Sequence, residues 1–133
     1  MSKFSEDIKT AITDHINSNG LIVDSMYGFI LQYNQKTSKI EIVYNQNNCL
    51  CAVGCLVKKL NIQPKQINST DLRDYLNNLG DILYNLAKKY SIDISDIIEF
   101  TNGFDCESFV EKDSPYFLEG YEIRKFCLES KYL

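Results

Sequence analysis

The chain has 133 residues, of which 44% are hydrophobic and 24% charged, a composition typical of one globular domain. Its 18 acidic and 14 basic residues give a net charge of −4 without a dense basic stripe, so direct nucleic-acid binding is not expected. No window of about 18 apolar residues is present and the first residues carry scattered charges, so neither a membrane anchor nor a signal peptide is expected. Five cysteines without secretory features favour reduced thiols and a cytoplasmic protein. We therefore expect a single globular domain over residues 1–133 with no membrane partner.

Apolar residues at four-residue steps predict the first helix. The helix is expected from about Ser5 to Ser18, with acidic residues in its first turn and Gly20 after its end. The residues that would line its apolar side are Phe4, Ile8, Ile12 and Ile16.

Alternating apolar residues then predict a β-hairpin. The first strand covers residues 27–33 and the second residues 40–44, with the polar stretch "NQKTS" as the turn between them. The edge of a strand from Tyr27 to Tyr33 could pair with a second copy, so a homodimer is one expected assembly.

Helical spacing predicts the second and third helices. The second contains "CAVGCLVKKL", with Asn47 or Asn48 as its N-cap. The third is the longest, begins after Ser69 or Thr70 and runs to Tyr90.

Three further helical segments are predicted in the last third of the chain. The first has Ser95 as its N-cap and Gly103 as its end, and a short helical turn follows within residues 105–113. The last begins at Ser114 and Pro115, a residue pair that favours a helix start. Together these elements predict an α+β fold, in which one β-hairpin, a small antiparallel sheet, packs against five or six helices.

The stretch "NCLCAVGCLV" holds three cysteines, Cys49, Cys51 and Cys55, among large apolar residues. Their spacing lacks the paired ligands of a structural zinc site, and apolar surroundings make thiols inert, so we expect core packing and neither a metal nor a cofactor. The enzymatic alternative is a cysteine-dependent enzyme with Cys49 or Cys51 as nucleophile and His15, the only histidine, as base.

Residues 91–122 carry nine acidic residues and one basic residue, Lys112, and aromatic residues interleave with them. Exposed rings beside carboxylates suit a basic, partly apolar protein surface, because rings supply desolvated anchors and carboxylates steer the encounter. The predicted contact residues are Asp96, Glu99, Phe104, Asp105, Glu107, Glu111 and Tyr116. We therefore expect a non-enzymatic protein-binding module, an inhibitor or adaptor, whose partner is another protein with a basic surface.

"CAVGCLV" at Cys51 to Val57, followed by "IIEFTNGFD", resembles a pattern in small uncharacterised proteins of bacteria and their phages. There a Cys-Ala-x-Gly-small-Leu segment precedes a helix with a polar turn, although Asn102 and Gly103 stand here where that pattern more often has Asn-Asp. The resemblance implies a phage or mobile-element origin and action through host machinery, and it assigns no functional residue.

A third reading is a protein that sequesters a small ligand such as a nucleotide in a Tyr- and Asn-lined pocket.

Overall fold

The computed structural model describes residues 1–19, 29–44, 51–62, 72–106 and 114–132. In chain order the elements are α1 (Lys3–Asn19), β1 (Phe29–Asn34), β2 (Lys39–Tyr44), α2 (Ala52–Lys59), α3 (Leu72–Tyr90), α4 (Ile94–Phe104) and α5 (Pro115–Glu129). Strands β1 and β2 form an antiparallel ladder in which Phe29 is opposite Tyr44 and Asn34 is opposite Lys39.

Two glycines bring α4 and α5 into backbone contact. A Cβ atom on Gly103 would collide with the carbonyl oxygen of Phe117, and one on Gly120 would collide with the carbonyl oxygen of Phe100. Arg124 adds a hydrogen bond of 2.9 Å from its guanidinium to the carbonyl oxygen of Phe104. These contacts make α4 and α5 the most closely packed pair of described helices.

The ring of Phe4 joins four helices at the centre of the core. This side chain of α1 is only 1% exposed. It makes edge-on contacts with Tyr90 of α3, Phe100 of α4 and Tyr116 of α5, at ring-centroid distances of 5.4, 5.5 and 6.2 Å. Such edge-on pairs add to the free energy of burying the rings, so Phe4 holds three helices around the first turn of α1.

The N-terminus of α1 is also tied to α5. The Ser2 hydroxyl accepts a hydrogen bond of 3.2 Å from the Ser5 backbone N–H, which caps the helix. The Glu119 carboxylate accepts hydrogen bonds from both the backbone N–H and the hydroxyl of Ser2. Glu119 therefore fixes the start of α1 against α5.

The expected fold class, α+β with a hairpin packed against five or six helices, is wrong. Every residue of the described core belongs to one of the five helices. The two strands pack against each other and make at most marginal contact with any described helix. Alternating apolar residues predicted a sheet layer in the core, but the core that the structure describes is built from the apolar faces of the helices and is all-helical.

The predicted helix starts are correct for α5 and wrong for α2 and α4. Ser114 caps α5 by accepting a hydrogen bond of 3.4 Å from the Phe117 backbone N–H, with proline at the first helical position. The N-cap of helix α2 is Cys51, whose Sγ accepts a hydrogen bond of 3.2 Å from the Gly54 backbone N–H, so Asn47 and Asn48 are not its caps.

The N-cap of helix α4 lies two residues before the predicted cap, Ser95, and the helix does not end at the predicted Gly103. Its N-cap is Asp93, whose backbone N–H donates a hydrogen bond of 3.0 Å to the Asp96 carboxylate. The helix continues to Phe104, because Gly103 serves the contact with α5 rather than a helix end.

Candidate functional site

The predicted contact residues divide into structural and exposed ones. Asp96 is used within α4 as a capping side chain. Phe104 is only 6% exposed, and Tyr116 is half-buried with its ring packed edge-on against Phe4. Asp105 is exposed at the C-cap of α4, and Glu99 is half-buried on the same helix. Glu107 and Glu111 lie outside the described residues.

Two aliphatic side chains that the sequence reasoning missed are exposed on the same pair of helices. Ile98 of α4 is 44% exposed and Leu118 of α5 is 38% exposed. Ile98 and Asp105 lie two helical turns apart on one side of α4, and Leu118 and Glu122 lie one turn apart on one side of α5. We call these four residues, Ile98, Asp105, Leu118 and Glu122, the outer face.

The outer face carries two carboxylates, of which Glu122 pairs with the Lys125 ammonium at 3.6 Å, and it is rigidly supported. Within residues 91–122 the described parts contain acidic side chains but no lysine or arginine. The backbones of α4 and α5 touch at Gly103 and Gly120. The solvent-exposed sides of the two helices therefore keep a fixed position relative to each other. The signal that could have revealed this arrangement was the pair of glycines inside otherwise helical patterns.

A pocket of about 250 Å³ lies between α1 and α2. Its lining residues are Ala11, Asp14, His15, Cys55, Lys58 and Lys59. An ion pair between the Lys59 ammonium and the Asp14 carboxylate, 2.8 Å apart, connects the two helices beside the pocket. His15 is only 6% exposed, so the predicted base lies in the packed part of α1.

The thiol that shares this pocket with His15 is Cys55 rather than the predicted nucleophiles. Burial raises the pKa of Cys55 to about 12, so this thiol stays protonated at neutral pH. Cys51 lines no part of the pocket and uses its sulfur to cap α2. Cys49 lies outside the described residues. The described part of the pocket therefore brings together a histidine and a thiol without forming a thiolate nucleophile.

The predicted core role of the cysteine-rich stretch is confirmed for Ala52 to Val57. All six residues are buried, and Cys55 is 3% exposed. Within the described ranges, Cys51, Cys55, Cys106 and Cys127 are not joined in disulfides. Across the same ranges no group of three or more His, Cys, Asp or Glu side chains could hold a metal ion.

Helix length and hydropathy also bear on membranes. Among the helices that the structure describes, none combines the length and the apolar character needed to cross a bilayer.

Comparison with known proteins identifies no relative. No family model, no curated protein and no solved structure matches the chain.

Proposed function

We propose that this chain is a non-enzymatic protein-binding module that engages a basic, partly apolar surface of another protein through the outer face. The observation that carries the proposal is the exposure of Ile98 on the side of α4 that bears Asp105, and of Leu118 on the side of α5 that bears Glu122. An inhibitor or adaptor role would follow from occupying that surface of the partner.

Each kind of side chain on the outer face has a distinct role in binding. Ile98 and Leu118 are exposed apolar groups, and their removal from water on contact favours association. Asp105 and Glu122 attract lysine and arginine side chains and repel acidic proteins. Because that attraction acts through water, salt should weaken the encounter by screening it.

The backbone contact between α4 and α5 supports binding by limiting its entropic cost. Side chains on two independent helices would lose mobility when a partner fixes their relative position. Here Gly103 and Gly120 already fix that position in the unbound chain.

The proposal is tested with a labelled amphipathic helical peptide of leucine and lysine, which has the stated partner chemistry. Fluorescence anisotropy should show salt-sensitive binding to the chain, and the double variant Asp105→Lys/Glu122→Lys should lose it. The matched control, Glu6→Lys/Asp81→Lys, changes the net charge equally at exposed positions on α1 and α3 and should keep binding.

A second pair of variants tests the apolar part. Ile98→Gln/Leu118→Gln should weaken binding, whereas Leu128→Gln, at a leucine that is 50% exposed near the end of α5, should leave it unchanged. Equal affinity in the outer-face variants and their controls would overturn the proposal.

A further inference from the structure

The pocket between α1 and α2 has a largely apolar base. Ala11, His15 and Cys55 line it and are only 2%, 6% and 3% exposed. The volume of about 250 Å³ lies just below the range of about 300–1,000 Å³ that is usual for pockets that bind drug-sized molecules. The pocket therefore suits a small molecule with a short apolar part.

The mouth of the pocket is positively charged. Its exposed lining residues are Asp14, Lys58 and Lys59, which together carry one net positive charge. Lys59 already pairs with Asp14 at 2.8 Å, whereas Lys58 has no carboxylate partner in the described part of the chain. The Lys58 ammonium can therefore bind an anion at the mouth.

The charge of Lys58 also reaches the base of the pocket. Burial raises the pKa of the Cys55 thiol, and the Lys58 ammonium acts on it in the opposite direction. Lys58 follows Cys55 by three residues, so the two side chains lie on the same side of α2. A molecule whose apolar part covers Cys55 can therefore place a negative group beside Lys58.

We propose that this pocket binds a small aliphatic carboxylic acid in its ionised form. The hydrocarbon part of the acid covers Ala11 and Cys55, and its carboxylate pairs with the Lys58 ammonium. A carboxylate carries one negative charge, which matches the net charge of the lining, whereas a phosphate monoester carries close to two. The site lies on α1 and α2, so it is independent of the outer face on α4 and α5.

Titration of the nitrogen-15-labelled chain with sodium butyrate, at constant ionic strength, tests the proposal. The amide chemical shifts of Ala11, Cys55 and Lys58 should change until the pocket is saturated. Butanamide, a neutral molecule of nearly the same shape, should bind about fivefold more weakly because it forms no ion pair. Propionate, which has one CH2 group fewer, should bind up to about fourfold more weakly. Equal affinities for butyrate and butanamide, or no saturable change at these three residues, would overturn the proposal.

Exposed charged residues provide matched variants whose fold circular dichroism can check. Lys58→Gln should weaken butyrate binding by about fivefold, whereas Lys88→Gln, an equal change of charge on α3, should leave it unchanged. Asp14→Asn should strengthen binding by about the same factor, because Lys59 loses its partner and can pair with the carboxylate of butyrate. Equal butyrate affinities in Lys58→Gln and Lys88→Gln, or weaker binding in Asp14→Asn, would also overturn the proposal.

Discussion

At the scale of single residues, Gly103 and Gly120 lie against the backbone of a neighbouring helix, whereas Gly80 does not. Alanine at Gly103 or Gly120 would force the backbones of α4 and α5 apart, so we expect a loss of about 3 kcal/mol of unfolding free energy or more. Gly80→Ala meets open space and should raise the unfolding free energy by about 0.5–1 kcal/mol. Urea denaturation at low protein concentration measures all three variants.

The three glycine variants test the packing of α4 and α5 because the chemical change is the same in each. If Gly103→Ala and Gly80→Ala had equal stabilities, the backbone contact between the two helices would be incorrect.

The hydrogen bond between Tyr90 and Asp7 predicts a pH dependence. The Asp7 carboxylate receives a bond of 2.7 Å from the Tyr90 hydroxyl and pairs with the Lys3 ammonium at 2.8 Å. The bond from Lys3, followed by that from Tyr90, lowers the pKa of Asp7 below its ordinary value of 3.8. Burial raises the pKa of Tyr90, so its hydroxyl keeps the proton it donates.

A lowered pKa in the folded state means that the ionised Asp7 stabilises the fold. That contribution is fully present above pH 3.8 and is lost as the pH falls through the lower folded pKa. Tyr90→Phe should reduce the unfolding free energy at neutral pH by about 1 kcal/mol and raise the pKa of Asp7 towards its ordinary value. A carbon-13 NMR titration of the Asp7 carboxyl group measures that shift.

Tyr84→Phe is the control for this titration, because Tyr84 is 57% exposed on the same helix. An unchanged Asp7 titration in Tyr90→Phe would contradict the assigned hydrogen bond.

Thiol reactivity is predicted to follow burial. Burial raises the pKa of Cys55 to about 12 and that of Cys127 to about 11, so both should react slowly with iodoacetamide in the native protein. Cys51 and Cys106 are half-buried and should be modified before them. Peptide mass spectrometry after timed quenching resolves the order, and rapid modification of Cys55 would contradict the raised pKa that its burial gives it.

At the scale of elements, the strands and the helices should differ in stability. A lone two-stranded hairpin is marginally stable in water, and β1 and β2 make at most marginal contact with the described helices. Native-state hydrogen exchange should therefore give lower opening free energies for the amides of the β1–β2 ladder than for those of α4 and α5. Equal protection of strands and helices would mean that the hairpin is part of the core after all.

Helices could be predicted from the sequence because apolar spacing and capping residues determine helix formation locally. Ser114 with Pro115 predicted the start of α5, and the four-residue apolar steps predicted α1. Cys51 was missed as a cap because thiols are weak acceptors and rarely serve as helix caps.

The exposed residues of the candidate site could be predicted less well from the sequence, because burial depends on tertiary packing. The aromatic residues of the acidic segment have the same spacing whether their helix side faces a core or a partner. Phe104 is buried against α5 since Gly120 admits the backbone of α4, a relation between residues far apart in sequence. The predicted contact stays a prediction, and the exposed large apolar side chains described on α4 and α5 are aliphatic, at Ile98, Leu118 and Leu128.

At the scale of the whole molecule, the core and the outer face occupy different sides of the helices. Phe4 holds α1, α3, α4 and α5 together from inside. The outer face belongs to α4 and α5.

The most direct test of the proposed function is to map the contact on the folded chain. Amide chemical shifts of the nitrogen-15-labelled protein, recorded during titration with the leucine–lysine peptide, report the binding surface residue by residue. We predict shift changes centred on Ile98, Asp105, Leu118 and Glu122 that decrease as salt is added. Changes centred instead on His15 and Lys58 of the pocket between α1 and α2, or no changes at all, would contradict the account.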